Sequence, residues 1–275
     1  MTSAAAASRK LEEIARDDPE LAPYAAVLGA ALAAAAEDWP LDLTGAEGRL
    51  RAGEPALHGA VLTLPRERVE ALYRQLTQTP LSLRAERGIR GLPVATDASL
   101  DARHDKLAAA LADGLALRSA DTIHQLTLMP VLQAAARMCE PAVAEAMWSS
   151  GICPVCAAWP ALAESRGLDR LRVLRCGRCG SGWHLPWQLC PFCANSDHAS
   201  LSYLMSDQIG ESRRVFACDR CQGYLKTLAT LAPIEPLAVP VEDLATLELD
   251  LAALDAGRQR PSEPGFRLEA ELRLA

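Results

Sequence analysis

C-P-V-C at 153–156 is the first of four cysteine pairs, followed by C-G-R-C at 176–179, C-P-F-C at 190–193 and C-D-R-C at 218–221. Two residues between cysteines allow one tight turn to direct both sulfurs at one ion, and two such turns complete a tetrahedral four-thiolate site. The sequence therefore predicts two metal sites. Their predicted ligands are Cys153, Cys156, Cys176, Cys179, Cys190, Cys193, Cys218 and Cys221.

The gaps between the pairs favour closure of each site by consecutive pairs. Nineteen residues separate the first pair from the second, and 24 separate the third from the fourth. The first gap is typical of four-cysteine sites and the second is slightly longer, and the sequence alone leaves a crossed pairing open. Four thiolates accept either zinc or iron. A closed site offers no open position to a substrate, which argues against catalytic zinc.

The residue after the second cysteine of such a turn often needs a positive φ, which favours glycine. Gly180 fits this preference, whereas Ala157, Ala194 and Gln222 depart from it. We expect each departure to cost about 1 kcal/mol if the backbone is left-handed there.

Thiol–disulfide exchange is the competing chemistry for a C-x-x-C pair. A redox-active pair usually begins a helix, whose N-terminus lowers the thiol pKa. Cys156 is followed by A-A-W-P and Cys193 by A-N-S-D, and neither sequence begins a convincing helix. We therefore favour metal binding.

Nucleic-acid binding, the common role of small zinc ribbons, can be judged from charge. Residues 149–226 contain nine basic and six acidic side chains. Eight thiolates with two divalent ions bring the net charge of this stretch to about −1, and with two ferric ions to about +1. Neither value is the basic footprint that phosphate binding needs.

The whole chain has 275 residues, half of them hydrophobic, and a net charge of −7. This charge argues against a general binder of nucleic acids or anionic membranes. The N-terminus lacks the apolar segment of a secretory signal, and the Ala-rich uncharged run at 21–36 is too short to cross a bilayer. Eight of the nine cysteines lie in C-x-x-C pairs, so we expect a cytoplasmic protein without disulfides or a membrane span.

Residues 1–149 are predicted to form an all-helical domain. Asp121 is a plausible N-cap for a helix at 123–138, which Pro130 should kink or split, and Pro141 should begin a separate helix at 142–149. Two Gly- and Pro-containing stretches, 40–65 and 77–100, are expected to be irregular or to hold short helices. Four other helices are predicted. One lies at the beginning of the chain, one at 21–38, one after Pro65 and one at 102–117.

Beyond Ser149, helical periodicity gives way to turns and short alternating strands, such as 171–175 and 213–217. This pattern indicates a duplicated metal ribbon. The predicted fold class is α+β, a helical domain (1–149) followed by two tandem small metal modules (150–187 and 188–232) and a C-terminal segment (233–275). In that segment we expect one amphipathic helix at 241–254, with Leu244, Leu247, Leu251 and Leu254 on one face, and loose order at 257–275.

Several aromatic residues surround the cysteine pairs. Trp159, Trp183 and Trp187, with His184, Phe192 and Tyr224, could form a recognition surface or supply the small core of the ribbons. Cys139 is expected to be a buried core thiol. The sequence contains no phosphate-binding glycine loop, nucleophile–base pair or paired carboxylates, so we predict no catalytic residues and no enzyme activity.

The cysteine stretches with their neighbours resemble the formate dehydrogenase accessory protein FdhE family. The resemblance is carried by C-P-V-C at 153–156, C-G-R-C-G-S-G-W-H at 176–184, C-P-F-C at 190–193 and C-D-R-C-Q-G-Y-L-K at 218–226. Weaker similarity lies at 9–19 and 242–250. Ala157 is a departure, since the family usually has glycine there.

The resemblance implies a cytoplasmic accessory protein that contacts the catalytic subunit of a respiratory formate dehydrogenase during its assembly or activation. It also implies that the eight cysteines hold two rubredoxin-like iron sites, with zinc as the alternative metal. The W-H and Y-L-K motifs lead us to predict partner contacts at Trp183, His184, Trp187, Tyr224 and Lys226. The alternative functions are a rubredoxin-like electron carrier and a zinc-ribbon nucleic-acid module.

Overall fold

Helices form in the N-terminal half where apolar residues recur at three- and four-residue spacing. The computed structural model describes residues 3–79, 81, 104–119, 121–204 and 212–275. Most of the predicted irregular stretch at 77–100 lies outside these residues. The helices are α1 (Ser3–Asp17), α2 (Ala22–Ala35), α3 (Ala46–Arg51), α4 (Arg66–Thr77), α5 (His104–Leu115) and α6 (Thr122–Glu145). No helix within the described ranges is both long enough and apolar enough to cross a membrane.

Helix α6 is the central helix of this half and contacts α2, α3, α4 and α5. Asp121 caps it as predicted, because its carboxylate accepts a hydrogen bond from the backbone N–H of His124 at 2.9 Å. The predicted break at Pro130 and the separate helix after Pro141 were wrong, since α6 is one helix through both prolines. The burial of nearly every residue from Thr122 to Ala136 offsets the backbone hydrogen bond that a proline removes.

One short strand interrupts the otherwise helical half. Strand β1 (Val61–Leu64) pairs in parallel with β8 (Glu271–Leu274), so that Leu62 lies opposite Leu272. The expectation of loose order at 257–275 was therefore wrong for the last residues, and the 40–65 stretch holds a strand besides the short helix α3. A four-residue strand has too weak a pattern to be predicted when its partner lies about 200 residues away.

The two metal modules share one six-stranded sheet. Its strands are β2 (Leu162–Arg166), β3 (Leu171–Arg175), β4 (Gly182–His184), β5 (Leu201–Leu204), β6 (Arg213–Cys218) and β7 (Tyr224–Thr230). The strand order is β4-β3-β2-β7-β6-β5, so each module contributes three consecutive strands. Parallel pairing of β2 with β7, in which Leu162 lies opposite Lys226, joins the modules. The duplicated strands of the sequence analysis are confirmed, and the modules form one continuous sheet.

The C-terminal segment contains two helices, α7 (Val239–Leu244) and α8 (Leu247–Asp255), so the single predicted helix at 241–254 was wrong. Thr246 interrupts it, since its φ of −125° is not helical and its hydroxyl donates to the carbonyl of Glu242. The predicted apolar face was also wrong in part. Leu251 is exposed, whereas Leu249 and Ala253 are buried.

One hydrophobic core runs through all of these parts. It includes Leu132 of α6, Leu174 of β3 and Leu268 of the C-terminal segment. The boundaries at 149, 187 and 232 remain predictions, and this core crosses each of them. Continuous packing fixes the cysteine turns of both modules against the helices.

Candidate metal centres

All four C-x-x-C pairs adopt the same turn. In each, the backbone N–H of the first cysteine donates to the carbonyl five residues later, at 2.8–3.0 Å, as from Cys153 to Ala158. The residue after the second cysteine is left-handed in every turn, with φ of 61° at Ala157, 73° at Gly180, 53° at Ala194 and 57° at Gln222. Ala157, Ala194 and Gln222 are therefore left-handed non-glycine residues, the condition under which we expected each to destabilise its turn.

The first cluster consists of Cys153, Cys156, Cys176 and Cys179, all buried. The Sγ atoms of Cys153 and Cys179 are 3.5 Å apart, as are those of Cys156 and Cys176. All four sulfurs lie within 4.8 Å of one another. Closure is therefore by consecutive pairs.

The second cluster repeats this arrangement with Cys190, Cys193, Cys218 and Cys221. The Sγ atom of Cys190 lies 3.7 Å from that of Cys221, and the Sγ atom of Cys193 lies 3.8 Å from that of Cys218. Cys193 and Cys221 are only half-buried, which distinguishes this cluster from the first. The amide of Asn195 donates to the sulfur of Cys218 at 3.7 Å.

These dimensions fit a tetrahedral metal ion. Metal–sulfur bonds of about 2.3 Å place the sulfurs of a tetrahedron about 3.8 Å apart. The sulfur–sulfur distances within the clusters, 3.5–3.8 Å, are close to that value. Each cluster contains cysteine alone. Either can therefore hold a metal ion, and four thiolates do not select between iron and zinc.

The electrostatics of the clusters favour a bound cation. In the first, hydrogen bonds from the neighbouring thiols hold the pKa of Cys156 well below its usual range, whereas burial raises the pKa of Cys153 and Cys179. In the second, burial raises the pKa of Cys221 to about 11. Burial also acts to raise the pKa of Cys218, but backbone N–H groups outweigh it and lower that pKa to about 7. Thiols that compete for negative charge can all ionise only when a metal ion balances them.

Glu164 of β2 braces the first cluster and was missed by the sequence analysis. Its fully buried carboxylate accepts from Arg175 and Arg166, both at 2.7 Å, and from the backbone of Ile234 at 3.1 Å. Burial opposes its charge, but these donors keep the pKa of Glu164 below its usual value. Arg175 also donates to the carbonyl of Gly180, so the carboxylate positions the second cysteine turn. One acidic residue directly after the apolar run at 157–163 was the available signal.

Arg172 of β3 lies beside the second cluster and is likewise fully buried. It donates to the carbonyls of Pro186 and Leu189, at 3.2 and 2.8 Å, and its guanidinium carbon is 4.6 Å from the ring centroid of Phe216. Burial lowers the pKa of Arg172 to about 10. The contacts fix the segment that leads into Cys190. The alternation of β3 gave no indication that an arginine would face the interior.

The five predicted partner-binding residues do not form one surface. Trp183, Tyr224 and Lys226 are buried, and the indole N–H of Trp183 donates to the carbonyl of Ser150. His184 is exposed and Trp187 is half-buried. A surface role for the three buried residues therefore does not fit the structure, because they support the ribbons from inside.

The remaining predictions concern Cys139 and the aromatic residues Trp159 and Phe192. Cys139 is a buried thiol of α6, outside both clusters, as expected. Trp159 donates from its indole N–H to the carbonyl of Glu263 and packs edge-on against Phe192, with ring centroids 5.5 Å apart. These rings hold the C-terminal segment against both cysteine regions.

Comparisons with known proteins support the resemblance to FdhE. The chain is 39% identical over 118 residues to the Protein FdhE homolog of Stutzerimonas stutzeri, a match that covers 40% of this chain and 37% of that protein. It is 31% identical over 114 residues to the Protein FdhE homolog of Aquifex aeolicus, covering 40% and 39%, and 32% identical over 121 residues to the Protein FdhE of Escherichia coli, covering 43% and 38%. These matches span about two fifths of the length of the curated relatives.

A solved structure extends the similarity of fold over nearly the whole chain. The crystal structure of the FdhE protein from Pseudomonas aeruginosa matches with a TM-score of 0.63 and 23% identity, covering 96% of this chain and 95% of that chain. No family model matches the chain. The FdhE resemblance predicted from the cysteine motifs is confirmed by the relatives, and the architecture by this structure.

Proposed function

We propose that this chain is a cytoplasmic accessory protein for a respiratory formate dehydrogenase and contacts the catalytic subunit of that enzyme during assembly or activation. The observation that carries the proposal is the pair of four-cysteine clusters on one continuous sheet. The similarity to FdhE proteins supports the choice of formate dehydrogenase as the proposed partner.

In this proposal each cluster holds one iron ion through its four cysteines, as in rubredoxin. The closed thiolate sets leave no coordination position for a substrate, so the protein acts through binding and not through turnover. The ribbons are joined by β2 and β7 and packed on the helices, and they present a preformed surface to the partner. Among the predicted contact residues, His184 and Trp187 remain available to that surface.

The proposal is tested with purified components. We expect the metal-loaded chain to capture the catalytic subunit of formate dehydrogenase and to support its activation, and we expect Cys→Ser changes in all four pairs to abolish both. The matched control is Cys139→Ser, a buried cysteine outside the clusters, which should leave both intact. Unchanged capture and activation by the eight-serine variant would disprove the proposal.

Electron transfer remains a second candidate because Cys193 and Cys221 are half-buried, which would let a redox partner approach the second ion. An electron carrier would show a reversible couple and turnover with a reductase. Nucleic-acid binding receives less support from the structure, since Arg172, Arg175 and Lys226 are buried and unavailable to phosphates.

A further inference from the structure

A cleft of about 390 Å³ lies where the helical half, the first module and the C-terminal segment meet. Both cysteine regions contribute to its wall, the first through Gly177 and Arg178 of the second turn and the other through Phe192 of the third turn. This volume is typical of pockets that bind small ligands or short chain segments. The cleft therefore adjoins the two clusters without being part of either.

Most of the cleft wall is apolar. Leu126 and Met129 come from α6, Leu244 ends α7 and Leu247 begins α8. Trp159 also lines the cleft, and its indole N–H donates to the carbonyl of Glu263. Such walls favour large aliphatic groups on a ligand.

Two polar side chains in the wall have unused hydrogen-bonding atoms. Arg178 donates through Nη2 to the carbonyl of Gly114 at 2.8 Å, but its buried Nε and Nη1 have no partner within the described residues. Gln125 donates to the carbonyls of Gly114 and Ser119, and its buried Oε1 has no partner there either. Both side chains are thus held in position with spare donors on one and a spare acceptor on the other.

The two arginines that line the cleft differ in their carboxylate partners. Asp243 also lines the cleft, but it is paired with Lys226 and Arg260. Glu263 lies at the exposed rim, where solvent screens its charge. Arg260 is paired with Asp243 and Asp250, whereas Arg178 has no carboxylate partner within the described part of the chain and acts only on the thiolate of Cys156. A bound carboxylate can therefore pair with Arg178.

We infer that this cleft binds a short apolar segment of a partner protein, with an acidic side chain of the segment paired to Arg178. A peptide is favoured because its backbone carries both an acceptor for the arginine and a donor for Gln125, while its aliphatic side chains match the walls. The inference rests on the proposed function only in taking the partner to be a protein. It assigns to the cleft a contact that does not involve the cysteines.

The test uses the full metal-loaded chain and two synthetic peptides, acetyl-Leu-Leu-Glu-Leu-amide and its Gln counterpart. Binding is followed by the NMR signal of the Trp159 indole N–H, assigned with Trp159→Phe. We expect the Glu peptide to bind about tenfold more tightly than the Gln peptide. Arg178→Gln should remove this preference, and Arg170→Gln, a change at an exposed arginine of the same module, should retain it.

A second variant guards against loss of structure. Ser262→Trp places a large side chain at the exposed rim of the cleft and should block both peptides while the metal content stays at the wild-type value. Equal affinity for the two peptides, absence of binding, or binding undisturbed by Ser262→Trp would overturn the inference. If butyrate displaced the Glu peptide at a concentration equal to that of the peptide, the cleft would be a site for small carboxylates. This result would also overturn the inference. None of these results depends on formate dehydrogenase, so the proposed function is judged separately.

Discussion

The Nζ atom of Lys226 lies 2.7 Å from Oδ2 of Asp250, and no part of Lys226 is exposed to solvent. Arg260 and Tyr224 also donate to Asp250, at 2.9 and 2.7 Å, and Lys226 contacts Asp243 as well. Burial opposes the charge of Asp243, but Lys226 and Arg260 outweigh it and lower the pKa of that carboxyl. Two cations and two carboxylates thus join strand β7 to helices α7 and α8 and to the C-terminal segment.

Lys226→Met should destabilise the fold by about 3–5 kcal/mol, because it leaves the buried carboxylate of Asp250 and the partly buried carboxylate of Asp243 with one cation. Denaturant unfolding at pH 7 measures this loss. The matched control is Lys10→Met, whose partly exposed ion pair with Glu242 should contribute less than about 1 kcal/mol. Equal losses of stability in the two variants would contradict the stabilising role of the buried Lys226 ion pairs.

Ala194→Gly should stabilise the protein by about 0.5–1 kcal/mol, because Ala194 is exposed and left-handed, with φ of 53°. Ala199→Gly, at an exposed position without positive φ, should destabilise it by a similar amount. Thermal unfolding of both variants with metal bound provides the comparison. A loss of stability in Ala194→Gly would show that strain at this turn is negligible.

Glu164→Gln should destabilise the protein by about 3 kcal/mol at neutral pH, because buried Arg175 would lose its carboxylate partner. Because the pKa of Glu164 in the folded protein lies below its ordinary value of 4.5, the stabilisation by the ionised carboxylate is fully present above pH 4.5. This stabilisation is lost as the pH falls through the folded-state pKa. The stability difference between wild type and variant should therefore shrink below pH 4.5. A difference that does not change with pH would contradict the role of ionised Glu164.

The second cluster should react with thiol reagents before the first, because Cys193 and Cys221 are half-buried and the first cluster is fully buried. Alkylation by N-ethylmaleimide, read by peptide mass spectrometry, should label these two at least about tenfold faster than Cys153. Metal release, followed with a chromogenic chelator, should then occur in two phases of one ion each. A single phase that releases both ions would contradict the difference between the clusters.

The local features of the site were accessible from the sequence. Two residues between cysteines define a turn, and the turns at 153–156 and 176–179 form one cluster as the spacing indicated. The cap at Asp121 and the strands predicted at 171–175 and 213–217 depend on neighbouring residues, and the structure contains both strands, the second extended by one residue to Cys218. In each case the physical cause lies within a few positions of the chain.

Predictions failed where distant residues supplied the stabilising contact. Helix α6 passes through Pro130 because packing on every side compensates for the missing hydrogen bond. Lys226 was taken for a surface residue, since nothing near it in sequence showed that Asp243 and Asp250 would surround it.

The sequence by itself determined the two cysteine sites, the helical first half and the FdhE resemblance, because turn chemistry, helical period and motif spacing are local. Only the tertiary structure decided that β2 and β7 merge the modules into one sheet, that β8 returns to β1, and that a cleft lies beside Arg178. These features depend on contacts between residues more than 50 positions apart, which form because each buries apolar surface or pairs a charge that no neighbour in sequence can reach.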